Sequence, residues 1–530
     1  MKKYLFLLLA LFSFTANAAF VSQNTTASNI YYVATNGNDT TGNGSASKPW
    51  ATLPKACTSV TASGSTIYVR GVGVSVDTVC NLNVGVSIQC EFTATYLKAT
   101  AALDPMIKLN SATQGINGNQ SITNCTLDGN TLTGTSAVEV KGRSNVVMKN
   151  LIIKDWLDRA VDFHGLSTSD STNIAPTYFG IGNEFAFNTI TNSSRFAAYG
   201  RGQLQIGGQD GIYIHDNNMN QSGRGVNGNG WLIKYLNDGF NKNVRIIKNT
   251  FYRESFVGDS FNFSIELWHS LGGTEIAFNN IYPMLDIAGA QRGTSTYSFW
   301  IHNNTFGDTS MVGDGSTTPQ RAIGGVDLEH NIEHVIIDSN TFRNLSWVMV
   351  DLEYTANTTK HDITISNNVA YNIWGGLAGN TSTNNYLYNV RIINNTLYTT
   401  LASALDGFNV FNFAKNVEIR NNIVVGFTRS PVMIYGGVGI INELIVNNNI
   451  FNTNGHSNTV WFNGSTSTNY QELNNLTTSP SFTNTATFDF SLQVGSPAIG
   501  AGFDVGIYQD IFGRVRLQPT DIGAYQYNKW

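Results

Sequence analysis

Six acidic side chains recur in short runs of one kind. Ile265-Glu266-Leu267-Trp268, Leu285-Asp286-Ile287, Val326-Asp327-Leu328-Glu329 and Val350-Asp351-Leu352-Glu353 each alternate apolar residues with others. Alternation of period two marks a half-buried strand, with the apolar set facing a core and the acids facing out. Strands of this kind stacked at about 4.8 Å would line the acids up along one sheet. Gln203, Gln205, Asp406 and Trp461 fall on the same parity in flanking runs. Lys234 joins them less regularly, because Leu232 and Leu236 share its parity.

Carboxylates held that close raise one another's proton affinity or take up a cation, and both outcomes are common at functional sites. Three chemistries fit. In glycoside hydrolysis, carboxyl groups about 5–5.5 Å apart suit retention and about 6.5–9.5 Å suit inversion. Adjacent strands supply the first spacing and alternate strands the second, with Glu266, Asp286, Asp327 and Glu329 as the catalytic candidates. In β-elimination, Asp327, Glu329, Asp351 and Glu353 would hold Ca²⁺ through oxygen ligands. The ion would bind a uronate and acidify its C5 proton for a nearby base; Lys234, His269, Arg292, His330 and Tyr354 are the candidates. The third chemistry is glycan binding alone. Lys234 and Arg292 would contact an acidic sugar, Trp268, Trp347 and Trp461 would offer stacking faces, and His269 and His330 would lie beside them. Both histidines end their strands, so they also read as turn residues. Outward acids can serve only to keep a sheet soluble, but six of them in four consecutive runs beside Trp268 and Trp347 point past that.

A repeated asparagine provides the register for this strip. Asn124, Asn150, Asn188, Asn218, Asn249, Asn280, Asn304, Asn340, Asn368, Asn395, Asn422 and Asn449 each follow a β-rich run, 24 to 38 residues apart. A period of that length is one coil of a solenoid. Asparagine tolerates the left-handed backbone of a sharp corner, and stacked side-chain amides can bond from coil to coil. No long helical pattern appears, so helical and leucine-rich repeats are excluded. The expected fold is all-β: a right-handed parallel β-helix of about twelve coils with an N-terminal capping helix over Thr52 to Val60, where Thr52 is the N-cap and Pro54 lies in the first turn. The longer intervals hold Gly307 to Arg321 and Ser167 to Thr177, extra loops of the sort that map to a binding face. After Asn340 the intervals settle to 27 or 28 residues and the acids thin out, which places the site in the middle coils, roughly residues 200 to 355.

Lys2 and Lys3, the apolar stretch Leu5 to Phe14 and the small residues Ala16 and Ala18 read as a secretory signal peptide over 1–18, with no cysteine after it for a lipid anchor. An N-terminal segment and cap over 19–65, coils over 66–475 and a closing segment over 476–530 would follow. The 42% hydrophobic content is enough for a core despite abundant Gly, Asn, Ser and Thr. A net charge of −5 argues against nucleic acid as partner. No later stretch is apolar enough to span a membrane, and a secreted or periplasmic monomer is expected. Four cysteines allow three pairings or free thiols; Cys57–Cys80 with Cys90–Cys125 is preferred.

The segment from Tyr31 to Asp39, followed by Lys48-Pro49-Trp50-Ala51-Thr52-Leu53, resembles the opening of secreted right-handed β-helix proteins of the pectin-lyase-like superfamily. Phe490-Ser491-Leu492, Gly495 to Gly502, and Asp521 to Tyr527 are similar to their closing segment. The resemblance implies the fold and leaves lyase, glycosidase, epimerase, adhesin and phage spike open. The Asp-Pro-His signature expected of alginate epimerases is absent from the sequence, and the aspartate-pair motifs of polygalacturonases are not recognisable in it. No phosphate loop, zinc-type motif or serine elbow is evident.

Overall fold

The computed structural model describes residues 29–527 apart from 114–115, 133–134, 167–175, 195–200, 223–229, 236–239, 255–262, 308–322, 353–357, 380–385, 412–413, 436–439, 453–458 and 465. The expected signal peptide, Glu353, Tyr354 and most of the two long loops therefore lie outside the described residues.

Three strands recur in each coil, and each pairs in parallel with its counterpart in the next coil. Sheet A begins with Ile30–Ala34 pairing Thr66–Arg70 and ends at Tyr470–Leu473. Sheet B begins with Val74–Val76 pairing Tyr96–Ala99 and ends at Ile450–Asn452. Sheet C begins with Cys80–Asn81 pairing Ile107–Asn110 and ends at Val460–Asn463. The chain passes A, B, C and back to A. Alternate apolar residues of all three sheets meet in one continuous core along the axis. This is a parallel β-helix.

The corner between sheets A and B uses two residues. The first is left-handed: φ is 55° at Phe187, 54° at Asp216, 57° at Lys248, 53° at Asn303 and 56° at Ser339. The second is a buried asparagine. Asn340 illustrates the wiring: its Oδ1 accepts from the backbone N–H and the Nδ2 of Asn304, at 2.9 and 3.0 Å. Its own N–H and Nδ2 donate to Asn368 Oδ1 at 2.9 and 3.0 Å, and Nδ2 also reaches the Ile301 carbonyl at 2.8 Å. The ladder runs through Asn188, Asn217, Asn249, Asn279, Asn304, Asn340, Asn368, Asn395, Asn422, Asn449 and Asn475.

This corrects the register read from sequence. Asn218 and Asn280 stand one residue past the ladder, which uses Asn217 and Asn279. Asn124 and Asn150 occupy the left-handed place, at φ 61° and 56°, while Cys125 and Leu151 take the inner one. The Leu151 N–H donates to Asn188 Oδ1 at 2.9 Å, which starts the ladder.

The front end is closed by the helix Leu53–Ser59, with Thr52 as N-cap and Leu53, Ala56 and Cys57 buried. Cys57–Cys80 ties this helix to sheet C, and Cys90–Cys125 ties two coils together. The pairing is the preferred one, and disulfides suit an oxidising compartment. Among the described residues no helix is long and apolar enough to cross a membrane.

The tail closes the fold differently from a plug. It runs back along the A–B corner: Asn448 Nδ2 donates to Ala501, Asn421 Nδ2 to Phe503, and Asn367 Nδ2 to Gln509. Phe490, Ile511 and Ala524 pack with Val369 on the coil's flank. The Asn-Asn pairs of these coils thus divide their work, the inner asparagine bonding along the ladder and the outer one holding the tail.

Asn340→Ala leaves the Asn304 N–H and the Ile301 carbonyl without their partner. The expected loss is about 3 kcal/mol, since each orphaned buried group costs about 1–3 kcal/mol. Asn340→Asp, which sets a second oxygen against Asn368 Oδ1, should cost at least as much. Chemical denaturation of both variants checks this.

Candidate active site

Sheet C positions the chemistry. Its register aligns Lys108, Glu139, Asp162, Gln205, Lys234, Glu266, Asp286, Asp327 and Asp351 as successive partners. Their neighbours Ile265, Leu285, Val326 and Val350 all sit in the core, so this row faces the other way. Lys234 belongs to it fully, despite the ambiguous parity of its sequence. Gly202 makes room: a Cβ there would stand 2.9 Å from the Lys234 Cβ.

The row is outward yet buried. Lys234 is 5% exposed, Glu266 6%, Asp286 1%, Asp327 0% and Asp351 4%. Trp231, Phe263 and Met284 form an apolar cluster separate from the coil core. The Lys234 Nζ lies over the Trp231 ring at 4.3 Å and the Trp268 ring at 5.2 Å. It also ion-pairs with Glu266, whose Oε1 accepts from Trp268 Nε1 at 2.8 Å. Burial pushes the Lys234 ammonium down to about 7, with the charges of Asp286 and Glu329 opposing. At the far end Trp347 stacks on Trp374 at 4.9 Å, and its Nε1 donates to Asp351 Oδ2 at 2.6 Å.

Two places farther along each strand, a second row sets Trp268, Ala288 and Glu329 side by side. Oxygen atoms of Asp286, Asp327 and Glu329 lie within 4.8 Å of one another. These donors are all carboxylate oxygens, two buried and one half-buried, the ligand type a hard cation takes. Of the metal set expected from sequence, Asp327 and Glu329 converge, with Asp286 beside them, and Asp351 is the next register partner; Glu353 lies outside the described residues.

Small residues at Ala288, Gly289 and Ala290, between the larger side chains of the coils before and after, leave a cleft of about 320 Å³. Trp268, His269, His330 and Phe240 line it. This is the lower end of ligand-cleft size, about 300–1,000 Å³. His269 and His330 are left-handed at φ 52° and 56°, and Gly289 at 85°. The histidines thus hold left-handed corners within the strands Ile265–Ser270 and Val326–Asp338, and their rings line the cleft: His330 meets Trp268 edge to face at 5.5 Å. Burial, and next the charge of His330, lower the His269 pKa. The His330 Nε2 stands 3.7 Å from Glu329 Oε2.

Other expected positions fall elsewhere. Arg292 lies past the end of Leu285–Ala290, exposed, at the corner toward sheet A, where its backbone N–H donates to Glu333. Asp406 pairs in register with Ser430, and Arg429 and Ser430 hold it; Asn409 takes the row position in that coil. Trp461 does stand in the row, opposite Met433. Gln203 bonds the Ser193 and Asn220 carbonyls, a structural role.

Sequence reasoning missed the front of the row. A polar cleft of about 400 Å³ there includes Lys108, Glu139, Arg159, Asp162, His164 and Arg201. Arg159 is held by Asp104 at 2.9 Å, by Asp158 at 3.1 Å and by Asp162. The signal was available in Val138-Glu139-Val140-Lys141 and Val161-Asp162-Phe163-His164, which alternate as the later runs do.

No protein-family model matches the chain, and no curated protein matches it. Solved structures do. A rhamnogalacturonan lyase is 13% identical, with 74% of this chain and 87% of that one covered and a TM-score of 0.38. The tailspike protein of E. coli bacteriophage HK620, in complex with a pentasaccharide, is 10% identical over 76% and 71%, with a TM-score of 0.44. XylC, in complex with xylose, is 9% identical over 94% and 98%, with a TM-score of 0.37. The β-helix itself stands on the strand register described above.

Lys234→Met strands the buried Glu266 carboxylate beside Asp286, and the expected destabilisation is about 3–5 kcal/mol. Lys234→Met combined with Glu266→Leu should recover most of it. A double-mutant cycle by equilibrium denaturation reads the coupling.

Proposed function

We propose that this chain is an exported enzyme that cleaves an extracellular polysaccharide at the carboxylates of sheet C. The observation that carries the reading is the convergence of Asp286, Asp327 and Glu329 beside the Trp268 cleft. Setting carboxylates side by side in a buried strip costs free energy that folding of the sheet does not require, and such groupings are common at functional sites.

In hydrolysis, Glu329, the half-buried member at the cleft, would be the acid that protonates the leaving oxygen, and Asp327 or Asp286, with oxygens within 4.8 Å of its own, would be the nucleophile of a retaining pair. Trp268 supplies a face for a sugar ring. In elimination, Asp286, Asp327 and Glu329, with Asp351 beyond them, would hold Ca²⁺. That ion supplies charge neutralisation for a uronate. Lys234, its ammonium weakened by burial to about 7, is the amine suited to take a proton near neutral pH. The many acids and few bases of the row favour hydrolysis unless Ca²⁺ is bound. The alternative is glycan binding without cleavage, favoured by burial that withdraws Asp286 and Asp327 from solvent while Trp268 stays part-exposed at the cleft.

A panel of polysaccharides, assayed for reducing ends and for the ultraviolet absorbance of unsaturated uronates with and without a chelator, separates these readings. Asp286→Asn, Asp327→Asn and Glu329→Gln should each lower kcat/KM by about 10²-fold or more. Reducing ends without absorbance exclude elimination. Binding without cleavage of any substrate supports the non-catalytic reading, and unchanged rates in the variants overturn the site.

A further inference from the structure

The outer side of sheet A carries a side-chain group that the carbohydrate reading does not use. Glu333 and His361 are register partners on adjacent strands, Val326–Asp338 and Thr359–Ser366. His334 and Asp362 follow them, both left-handed at φ 53° and 57°, so four polar side chains gather at one corner. His361 Nε2 stands 3.6 Å from Glu333 Oε2, and His334 Nδ1 stands 4.0 Å from the same oxygen. Donor atoms of Glu333, His334 and His361 all lie within 4.8 Å of one another.

We propose that Glu333, His334 and His361 form a binding site for a divalent transition-metal ion of the zinc type. Imidazole nitrogen with one carboxylate suits zinc and its neighbours, whereas Ca²⁺ and Mg²⁺ take oxygen. Zinc bonds of about 2.0–2.2 Å put tetrahedral ligand atoms roughly 3.3–3.5 Å apart. The observed 3.6 and 4.0 Å close to that range by small side-chain rotations.

The surroundings fit the same role. His361 Nδ1 bonds Asp362 Oδ2 at 2.7 Å, which directs Nε2 toward the centre of the group. A carboxylate behind a histidine is the usual outer partner of a metal-bound imidazole. The other oxygens are held as well: Glu333 Oε1 accepts from the Arg292 N–H at 2.9 Å and Asp362 Oδ1 from Asn389 at 2.8 Å. The His334 Nδ1 is buried and has no hydrogen-bond partner among the described residues. A metal at this corner would fasten two successive coils, with the open fourth position left to water.

The test uses the full chain, stripped of metal and titrated with zinc chloride in a calorimeter. One tight equivalent is expected, not displaced by Ca²⁺ or Mg²⁺. His334→Ala and His361→Ala should each weaken it at least tenfold, within the 10–100-fold range of ligand-shell losses. Thermal unfolding should shift upward with zinc in the native chain and not in His361→Ala. Asp327→Asn keeps the zinc equivalent, which separates this site from the carboxylate trio. Absence of zinc uptake by the native chain, or uptake unchanged by both histidine variants, overturns the proposal. Should His361→Ala lose its β-structure by circular dichroism, Glu333→Gln serves in its place, and native affinity in that variant overturns the proposal equally.

Discussion

The buried asparagine amide at the A–B corner is the interaction on which the rest depends. A coil corner must turn sharply and leaves backbone groups pointing inward, where no water reaches them. Each amide answers both needs along the axis. From Asn249 to Asn449 its oxygen accepts from the backbone and side chain of the coil before, and its nitrogen donates to a carbonyl there and to the amide of the coil after. The coils are thereby locked in one register, and a slip would break many bonds together.

Fixed register is what assembles the charged row on sheet C. Lys234, Glu266, Asp286, Asp327 and Asp351 belong to coils of different length, yet they stand as direct partners because the corner, and not the loop, sets each coil's phase. The row is costly. It places several acids in a buried strip with one lysine paired at its head. Next to it, the Ala288–Ala290 segment trades bulk for space and opens the cleft under Trp268 and His330. The same strand, Val326–Asp338, serves both sheets: Asp327 and Glu329 stand near its start on sheet C, and Glu333 and His334 farther along toward sheet A.

The outer asparagines show how one dipeptide serves two surfaces. Asn367, Asn421 and Asn448 are left-handed at φ 53°, 56° and 55°, and their side chains meet the returning tail. Where the tail does not run, Phe187, Lys248 and Ser339 fill the same place. The Asn-Asn spelling of the later coils therefore records a contact with residues up to 142 positions away. The resemblance in the tail located that segment, but gave no indication that it lies along the flank.

What the sequence by itself determined was periodic and local. Apolar alternation assigned strand faces, repeated asparagine set the coil, and Thr52 with Pro54 marked the cap; each depends on neighbours a few residues apart. Even there the spacing points to Asn218 and Asn280 as the ladder residues, whereas in those two coils the first asparagine of the pair turns inward and only burial separates Asn217 from Asn218 and Asn279 from Asn280. Tertiary structure decided the rest. It set Lys234 in direct register with Glu266, moved Asp406 into an ion pair with Arg429, left Arg292 at a corner, and gathered Glu333, His334 and His361. These outcomes turn on which residues become partners across coils of unequal length and on what lies over them, and neither quantity is carried by any stretch of sequence.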